Sequence, residues 1–181
     1  MADLKILGIC GALRAASTNR LLLGEVKTAF GAADYTDADL RLPLFDEDVE
    51  IADGIPPKVQ LLADQVKAAD GIVICTPEYN KMIPGVLKNA LDWVSRTKGG
   101  PWTDKPVAIL SAADGRGGGD RSQFSLRLAL APFRVRIVPG PEVLIANSRQ
   151  AFDDEGRLID ERSTKAVQSL MVAFRREIER T

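Results

Sequence analysis

The sequence predicts an α/β fold in which helices cover both faces of a parallel β-sheet. One observation is a set of short, continuous apolar runs, such as residues 72–75 and 107–110, which are typical of strands buried on both faces. The other is that segments between these runs carry apolar residues at helical spacing, as residues 86–94 do. Strands that alternate with helices in this way pair in parallel, because each helix returns the chain across the sheet.

The first part of the chain fits this alternation. Its predicted elements are, in order, a buried strand over residues 4–10, a loop over 11–19, a helix with apolar residues at Leu22, Val26 and Phe30, a strand over 38–42, an acidic surface loop with little regular structure over 43–57, and a helix with apolar residues at Val59, Leu62, Val66 and Ala69. Charged residues interrupt the strand candidate at 38–42, which is less apolar than the others.

The stretch from Gly71 to Trp93 is the centre of the prediction. Its strand over 72–75 ends at Thr76 and Pro77, since proline has no N–H to give to a ladder. Pro84 suits the first turn of the next helix, where the missing N–H costs nothing. The loop between them therefore lies at the carboxyl end of a central strand, where ligands bind in open α/β sheets.

The rest of the chain completes the pattern. The predicted elements are a buried strand over 107–110, a glycine-rich loop over 111–120, a helix over 124–131, short strands over 135–138 and 143–146, a turn over 152–156, and a long helix with apolar residues at Val167, Leu170, Met171, Phe174 and Ile178. Five strand–helix units in 181 residues fit a flavodoxin-like three-layer sandwich with a five-stranded sheet of order 2-1-3-4-5. We expect residues 1–181 to form a single domain.

The composition limits the kind of chemistry. The chain has no histidine, which excludes Ser-His-Asp and Cys-His catalysis and imidazole-rich metal sites, so we expect no metal. An enzyme of this composition would rely on a cofactor. The net charge of −1 gives no electrostatic argument for binding nucleic acid or a membrane, and we expect a cytoplasmic protein because no leader or spanning segment is visible.

The two cysteines, Cys10 and Cys75, end strands that are neighbours in the expected order. Their side chains are therefore expected to lie close together. Two interpretations remain open. The favoured one is a pair of small buried apolar residues, and the other is a redox pair.

Three loops follow the three clearest strands and should meet at one edge of the sheet. The first has the features of a phosphate site: Gly11 permits a tight turn, Arg14 is a permanent cation, and Ser17, Thr18 and Asn19 lie at a helix start. The alternative is that Ser17 or Asn19 is only a helix cap and that Arg14 is solvated.

The other two loops suit a flat ring. Residues 77–80 offer the aromatic ring of Tyr79 beside amide and backbone donors, although Tyr79 could be ordinary packing and Glu78 a solvated charge. The loop over 111–119 has little side-chain bulk, so its backbone can approach a ligand closely, unless it is only a flexible connector. Together the three loops predict a mononucleotide site.

The chain resembles the NADPH-dependent FMN reductase family, a flavodoxin-fold group that includes quinone, chromate and azo-dye reductases. The residues that carry the resemblance are Gly11, Leu13, Arg14, Ser17 and Asn19, the block over 76–93 with Thr76-Pro77-Glu78-Tyr79-Asn80 and Asp92-Trp93, and Gly115, Gly118, Gly119, Arg121, Phe152, Asp153 and Gly156. Where members of that family often have serine, other polar residues or tyrosine, this chain has Ala12, Ala112, Ala113 and Phe124.

The resemblance implies an FMN-containing oxidoreductase that takes hydride from NAD(P)H and passes electrons to quinones or similar small acceptors. The residues that it places at the FMN are Gly11, Arg14, Ser17, Thr18, Asn19, Pro77, Glu78, Tyr79, Asn80, Ile83, Ser111 and Gly115. No residue is assigned as an acid or base, and Arg116 is a candidate contact for the dinucleotide. Two other functions stay open, a flavodoxin-type electron carrier and a regulatory or scaffold protein whose flavin site has decayed.

The resemblance also implies a homodimer or homotetramer. The segments expected at the interface are the helix over residues 88–96 and the acidic loop around Phe45.

Overall fold

The centre of the molecule is a parallel β-sheet, seen here in a computed structural model that describes residues 4–180. Its strands are β1 (Lys5–Cys10), β2 (Asp34–Asp37), β3 (Gly71–Thr76), β4 (Pro106–Ala112), β5 (Arg136–Ile137) and β6 (Val143–Ile145). They lie in the order β2-β1-β3-β4-β5, with β6 also paired to β4. The predicted order 2-1-3-4-5 is confirmed.

Helices cover both faces of this sheet. They are α1 (Thr18–Phe30), α2 (Glu47–Asp53), α3 (Pro57–Ala68), α4 (Gly85–Ser95), α5 (Asp120–Leu130) and α6 (Glu161–Ile178). The helices α1 and α6 pack in one hydrophobic cluster, whereas α3, α4 and α5 pack in a second cluster on the opposite face. The result is the predicted three-layer sandwich.

The strand β3 is central because every one of its residues is buried. Its first residue, Gly71, lies under α6: an added Cβ would come within 2.5 Å of the Phe174 ring and 2.6 Å of Ile178. Glycine at this position therefore lets α6 lie directly on the sheet. The continuous apolar runs of β3 and β4 predicted this double burial correctly.

The predicted second strand over residues 38–42 is wrong. The second strand is β2, whose register pairs Lys5 with Asp34 and Gly8 with Asp37. It is an edge strand whose residues are mostly exposed, so no apolar run marks it. Of the residues that follow, Leu40 is buried among the side chains of the second cluster without forming a ladder.

The predicted irregular loop over 43–57 contains the short helix α2, which is a second correction. Asp46 caps this helix by accepting a hydrogen bond from the backbone N–H of Asp48 at 3.0 Å. No residue of α2 is buried, so hydrophobic spacing gave no sign of it. The helix is tied to α4 by Arg96, which donates to Glu50 at 2.7 Å.

Two short strands, β5 and β6, pair with the same side of β4 at one edge of the sheet. β5 pairs with Pro106 and Val107 at the start of β4, whereas β6 pairs with residues 110–112 at its end. The two short strands were predicted, and the sheet has six strands instead of five because both contact β4. The pairing with β6 also extends β4 through Ser111 and Ala112, which were expected in the following loop.

Candidate functional site

Four loops meet at the carboxyl edge of the sheet and form a cleft of about 270 Å³. They follow β1, β3, β4 and β6, whose parallel orientation brings their ends together. The residues that line the cleft are Arg14, Ser17, Thr18, Asn19, Pro77, Glu78, Tyr79, Ala112, Ala113, Asp114, Ser148 and Arg149. The three loops predicted from the sequence therefore do converge.

A second depression, called the groove below, adjoins the cleft and has a volume of about 600 Å³. Its lining residues are Glu78, Asn80, Lys81, Ala113, Asp114, Gly115, Arg116, Gly117, Gly118, Gly119, Asp120 and Arg121. Cleft and groove share Glu78, Ala113 and Asp114, so a ligand can extend from one into the other.

The loop after β1 presents donors at the start of α1. Ser17 is buried and caps this helix, because its hydroxyl accepts from the backbone N–H of Asn19 at 3.3 Å. Thr18 donates to the Ser148 hydroxyl at 3.3 Å, which joins this loop to the loop after β6. Arg14 is exposed, and within residues 4–180 its guanidinium has no hydrogen bond or ion pair. Ser17 therefore caps the helix, and the cationic side chain of Arg14 stays exposed beside it.

Asn19 is turned into the protein. Its amide nitrogen donates to the backbone oxygen of Ala112 at 2.8 Å, and its amide oxygen accepts from the Ala112 N–H at 2.9 Å. The side chain is only 1% exposed. Asn19 therefore fastens the start of α1 to the end of β4, in addition to lining the cleft.

The loop after β3 contains a tight two-residue turn. Tyr79 and Met82 exchange two backbone hydrogen bonds of 3.1 Å, and Asn80 and Lys81 between them have positive φ of 51° and 68°. This is the geometry of a type I′ turn, which asparagine tolerates better than lysine does. Backbone held in such a conformation is often found at functional sites. The Tyr79 side chain beside it remains 48% exposed.

Glu78 anchors this loop and is not a solvated charge. Its side chain is 14% exposed, and its carboxylate accepts from the backbone N–H of Ser122 at 3.3 Å. Since Gly119 at the start of α5 has no side chain to cap the helix, Glu78 supplies that acceptor from another loop. Further bonds join the same elements, from the Ser122 hydroxyl to the Pro77 oxygen at 2.8 Å and from the Ile83 N–H to Ser125 at 3.1 Å.

The glycine-rich loop after β4 is folded tightly over the sheet. Gly118 and Gly119 have positive φ of 59° and 94°, and an added Cβ on Gly118 would lie 2.8 Å from the backbone of Leu144. Ser111 lies below this loop, where it donates to the Gly118 oxygen at 2.7 Å and accepts from Gln123 at 2.9 Å. Ser111 therefore supports the loop and lines neither cavity.

The expected glycines and the alanines that depart from the family pattern differ in whether they line the cleft or the groove. Gly115 is exposed and lines the groove. Gly11 lies below the site, where its N–H donates to the Cys75 oxygen at 2.8 Å and an added Cβ would lie 3.2 Å from Pro77. Ala12 is buried in the core and lines neither cavity, whereas Ala112 and Ala113 line the cleft.

The loop after β6 also lines the cleft, and it was not predicted from the sequence. This loop contributes Ser148, whose backbone N–H donates to the Ala113 oxygen at 3.2 Å, and Arg149, which lies 3.5 Å from the Asp114 carboxylate. The signal was available, because a strand was predicted over residues 143–146 and the loop after any parallel strand reaches the same edge.

Cys10 and Cys75 are register partners on adjacent strands, as predicted, and both are free and buried. Burial, and secondarily the neighbouring Cys10, raises the pKa of the Cys75 thiol well above its ordinary value. A buried thiol of this kind is inert, which agrees with the structural interpretation of the pair.

Residues 4–180 lack two features that other functions would need. No cluster of three His, Cys, Asp or Glu side chains there could hold a metal ion. No helix in that part of the chain is long and apolar enough to cross a membrane.

Comparison with known proteins gives consistent matches. The family model described as NADPH-dependent FMN reductase matches residues 4–150. An NAD(P)H-dependent FMN reductase of Pseudomonas aeruginosa is 41% identical over 174 residues, which cover 95% of this chain and 94% of that protein. A quinone reductase of Escherichia coli is 34% identical over 181 residues, covering 98% and 96%. A solved flavoenzyme NAD(P)H:(acceptor) oxidoreductase from Paracoccus denitrificans superposes with a TM-score of 0.87, at 28% identity and 97% coverage of both chains.

Proposed function

The chain belongs to the NADPH-dependent FMN reductase family, and from this premise we propose that it is an NAD(P)H-dependent oxidoreductase that carries FMN. Its acceptors would be quinones or similar small molecules such as chromate, azo compounds or free flavin, a proposal supported by the quinone reductase of Escherichia coli. The observation that carries the proposal is the convergence of a cationic helix start, the loop with the exposed Tyr79 ring and a glycine-rich loop on two adjoining cavities, the cleft and the groove.

The residues present fit FMN. Glycines form much of one wall of the groove, and this wall can lie directly on the sheet because a Cβ on Gly118 or Gly119 would clash with the backbone or side chains below. Arg14 lines the cleft without a hydrogen bond or ion pair to the described residues, so a phosphate there would gain a charge-assisted bond. Of the residues expected from the sequence, Arg14, Ser17, Thr18 and Asn19 would lie toward the phosphate and Pro77, Glu78, Tyr79 and Asn80 along the ring, with Gly115 lining the groove. Gly11 and Ser111 support the loops from below, and Ile83, which lines neither cavity, packs against the second hydrophobic cluster.

In the reaction, the residues of the protein would bind and orient the FMN. FMN, when bound, supplies the hydride and electron chemistry for which the chain's own side chains are not equipped. Arg14 and the start of α1 provide a positive field for the phosphate. The turn at Asn80 and Lys81 is held rigidly by the anchor at Glu78, so it presents a fixed backbone surface to a ring.

The first test is an absorption spectrum of the purified protein with FMN, before and after anaerobic addition of NADPH. We expect flavin bands that survive gel filtration and bleach on NADPH. Bands that persist without bleaching would indicate an electron carrier, and a protein that binds no FMN would contradict the proposal. In steady state, reductant and acceptor would use the same open face in turn, so double-reciprocal plots should be parallel; converging lines would contradict this order.

A variant tests the phosphate end of the site. Arg14→Ala should raise the Kd for FMN about tenfold to a hundredfold, since it removes one hydrogen bond to a charged group. The matched control is Arg20→Ala, another exposed arginine close in the chain that lines neither cavity. Equal Kd values for the two variants would refute the role of Arg14.

We also propose a homodimer or homotetramer, with an interface that differs from the one expected from the sequence. The polar side chains of α4 are largely used within the chain, since Asn89 and Trp93 both donate to the Pro43 oxygen at 2.9 Å. Large apolar side chains nevertheless stay exposed on the adjoining segment at Leu44 and Ile51 and on α5 at Phe124 and Leu128. Exposed apolar side chains of this size favour association with a second copy. Sedimentation should show an oligomer at micromolar concentration, and a clean monomer would contradict it.

A further inference from the structure

The groove beside the cleft has room for a second ligand that reaches the same site. It lies between the turn at Asn80 and Lys81 and the glycine-rich loop. Because it shares three lining residues with the cleft, the groove adjoins the place where a ring would be held, so a second ligand in the groove could contact that ring. The groove's own volume of about 600 Å³ lies in the range of small-molecule sites.

The carboxylates of the groove are already engaged. Glu78 accepts from the backbone of α5, and Asp114 lies 3.5 Å from Arg149. Asp120 accepts from the backbone N–H of Arg121 at 2.8 Å and lies in the first turn of α5, where the helix dipole favours a negative charge. Each of these carboxylates therefore has a partner other than the arginines of the groove.

Two arginine side chains of the groove remain unused. Arg116 and Arg121 are exposed, and within residues 4–180 neither guanidinium has a hydrogen bond or an ion pair. Lys81 differs, since its ammonium lies 4.0 Å from Glu78. A Cβ on Gly115 would meet nothing within 4 Å, so there is open space beside Arg116 in which its side chain can turn.

Two planar guanidinium groups at one wall of a groove match phosphate oxygens in geometry and in charge. The FMN phosphate is assigned to the other end of the depression, at Arg14, which leaves the reductant as the phosphate-bearing molecule of the reaction. We propose that Arg116 and Arg121 bind phosphate groups of the NAD(P)H dinucleotide, an inference that rests on the proposed reductase function. The source is either the diphosphate bridge, common to NADPH and NADH, or the 2′-phosphate, which only NADPH has.

The test compares Arg116→Ala, Arg121→Ala and Arg116→Lys with the wild type, all loaded with FMN. The KM for NADPH should rise about tenfold to a hundredfold in each alanine variant, with kcat at saturation and the Kd for FMN unchanged. The lysine variant should fall between, because it keeps the charge and loses the planar fork. Calorimetric titration with NADP⁺ and NAD⁺ gives a readout independent of turnover, and the Kd should rise by a similar factor.

The control is Arg127→Ala, which removes a positive charge from the same helix outside the groove. A loss confined to NADPH and NADP⁺ assigns the contact to the 2′-phosphate, and equal losses for both dinucleotides assign it to the diphosphate. Unchanged KM and Kd values in both alanine variants, or a loss matched by Arg127→Ala, would overturn the proposal. Should the FMN-loaded wild type not be reduced by either dinucleotide, the reductase function itself fails, and this inference fails with it. Within residues 4–180 the Arg116 guanidinium makes no hydrogen bond or ion pair, so its variant tests the proposal even if Arg121→Ala folds poorly.

Discussion

Replacing Asn19 by alanine tests how the floor of the cleft is held together. The Asn19 amide forms a two-way pair with the backbone of Ala112, at distances of 2.8 Å and 2.9 Å. Because Asn19 lies in α1 and Ala112 ends β4, the pair connects two elements 93 positions apart in the chain. The alanine variant leaves a backbone donor and a backbone acceptor without partners in a buried setting.

The expected cost follows from these two bonds. A hydrogen bond contributes about 0.5–1.5 kcal/mol net, and a buried group left unsatisfied costs about 1–3 kcal/mol. Ala112 borders the cleft, so water can reach part of the gap and the cost should lie below the sum of the upper values. We therefore expect the free energy of unfolding to fall by about 2–4 kcal/mol.

Urea unfolding of the cofactor-free protein measures this loss without the contribution of bound FMN. Arg20→Ala is the control, because this neighbouring side chain is exposed and lines neither cavity. Asn19→Asp should also be destabilised at neutral pH, since a carboxylate can accept from the Ala112 N–H but cannot donate to its oxygen. A loss within about 0.5 kcal/mol of the control would refute the argument that Asn19 is a structural connection, because that is the range of ordinary surface substitutions.

Three further predictions concern the surrounding structure. Gly118→Ala should lower the melting temperature, since its φ is +59° and the new Cβ would lie 2.8 Å from the backbone of β6, whereas Gly115→Ala, with open space, should not; equal shifts would contradict this. Glu78→Ala should cost about 1 kcal/mol in urea unfolding by removing the acceptor at Ser122, and Glu78→Gln, which keeps an acceptor, should cost less. Because burial raises the pKa of the Cys75 thiol, the unfolded chain releases a proton near pH 8.5 that the folded chain retains, and the free energy of unfolding should fall as the pH rises above about 8.5. Cys75→Ala should flatten this dependence of the unfolding free energy on pH, and an unchanged slope would argue against the burial effect.

The parts of the fold that the sequence predicted well are those whose side chains are buried. β3 and β4 are buried along their whole length, and α6 has a regular apolar stripe, so hydrophobic spacing located all three. β2 and α2 were missed because they bury almost nothing. Their positions depend on pairing with β1 and on an ion pair to α4, and such tertiary contacts leave no period in the sequence.

In the site, too, some features could be predicted from the sequence and others could not. The sequence placed the three loops at one edge of the sheet, because that follows from strand order alone. It could not say which polar side chains hold the loops in place: Arg14 is exposed at the cleft, whereas Asn19 and Ser111 bond to backbone groups beneath the loops. Loops with little apolar surface need such buried bonds to hold a fixed shape. Arg14→Ala should therefore weaken FMN binding with little loss of stability, while Asn19→Ala should lose stability first and binding as a consequence.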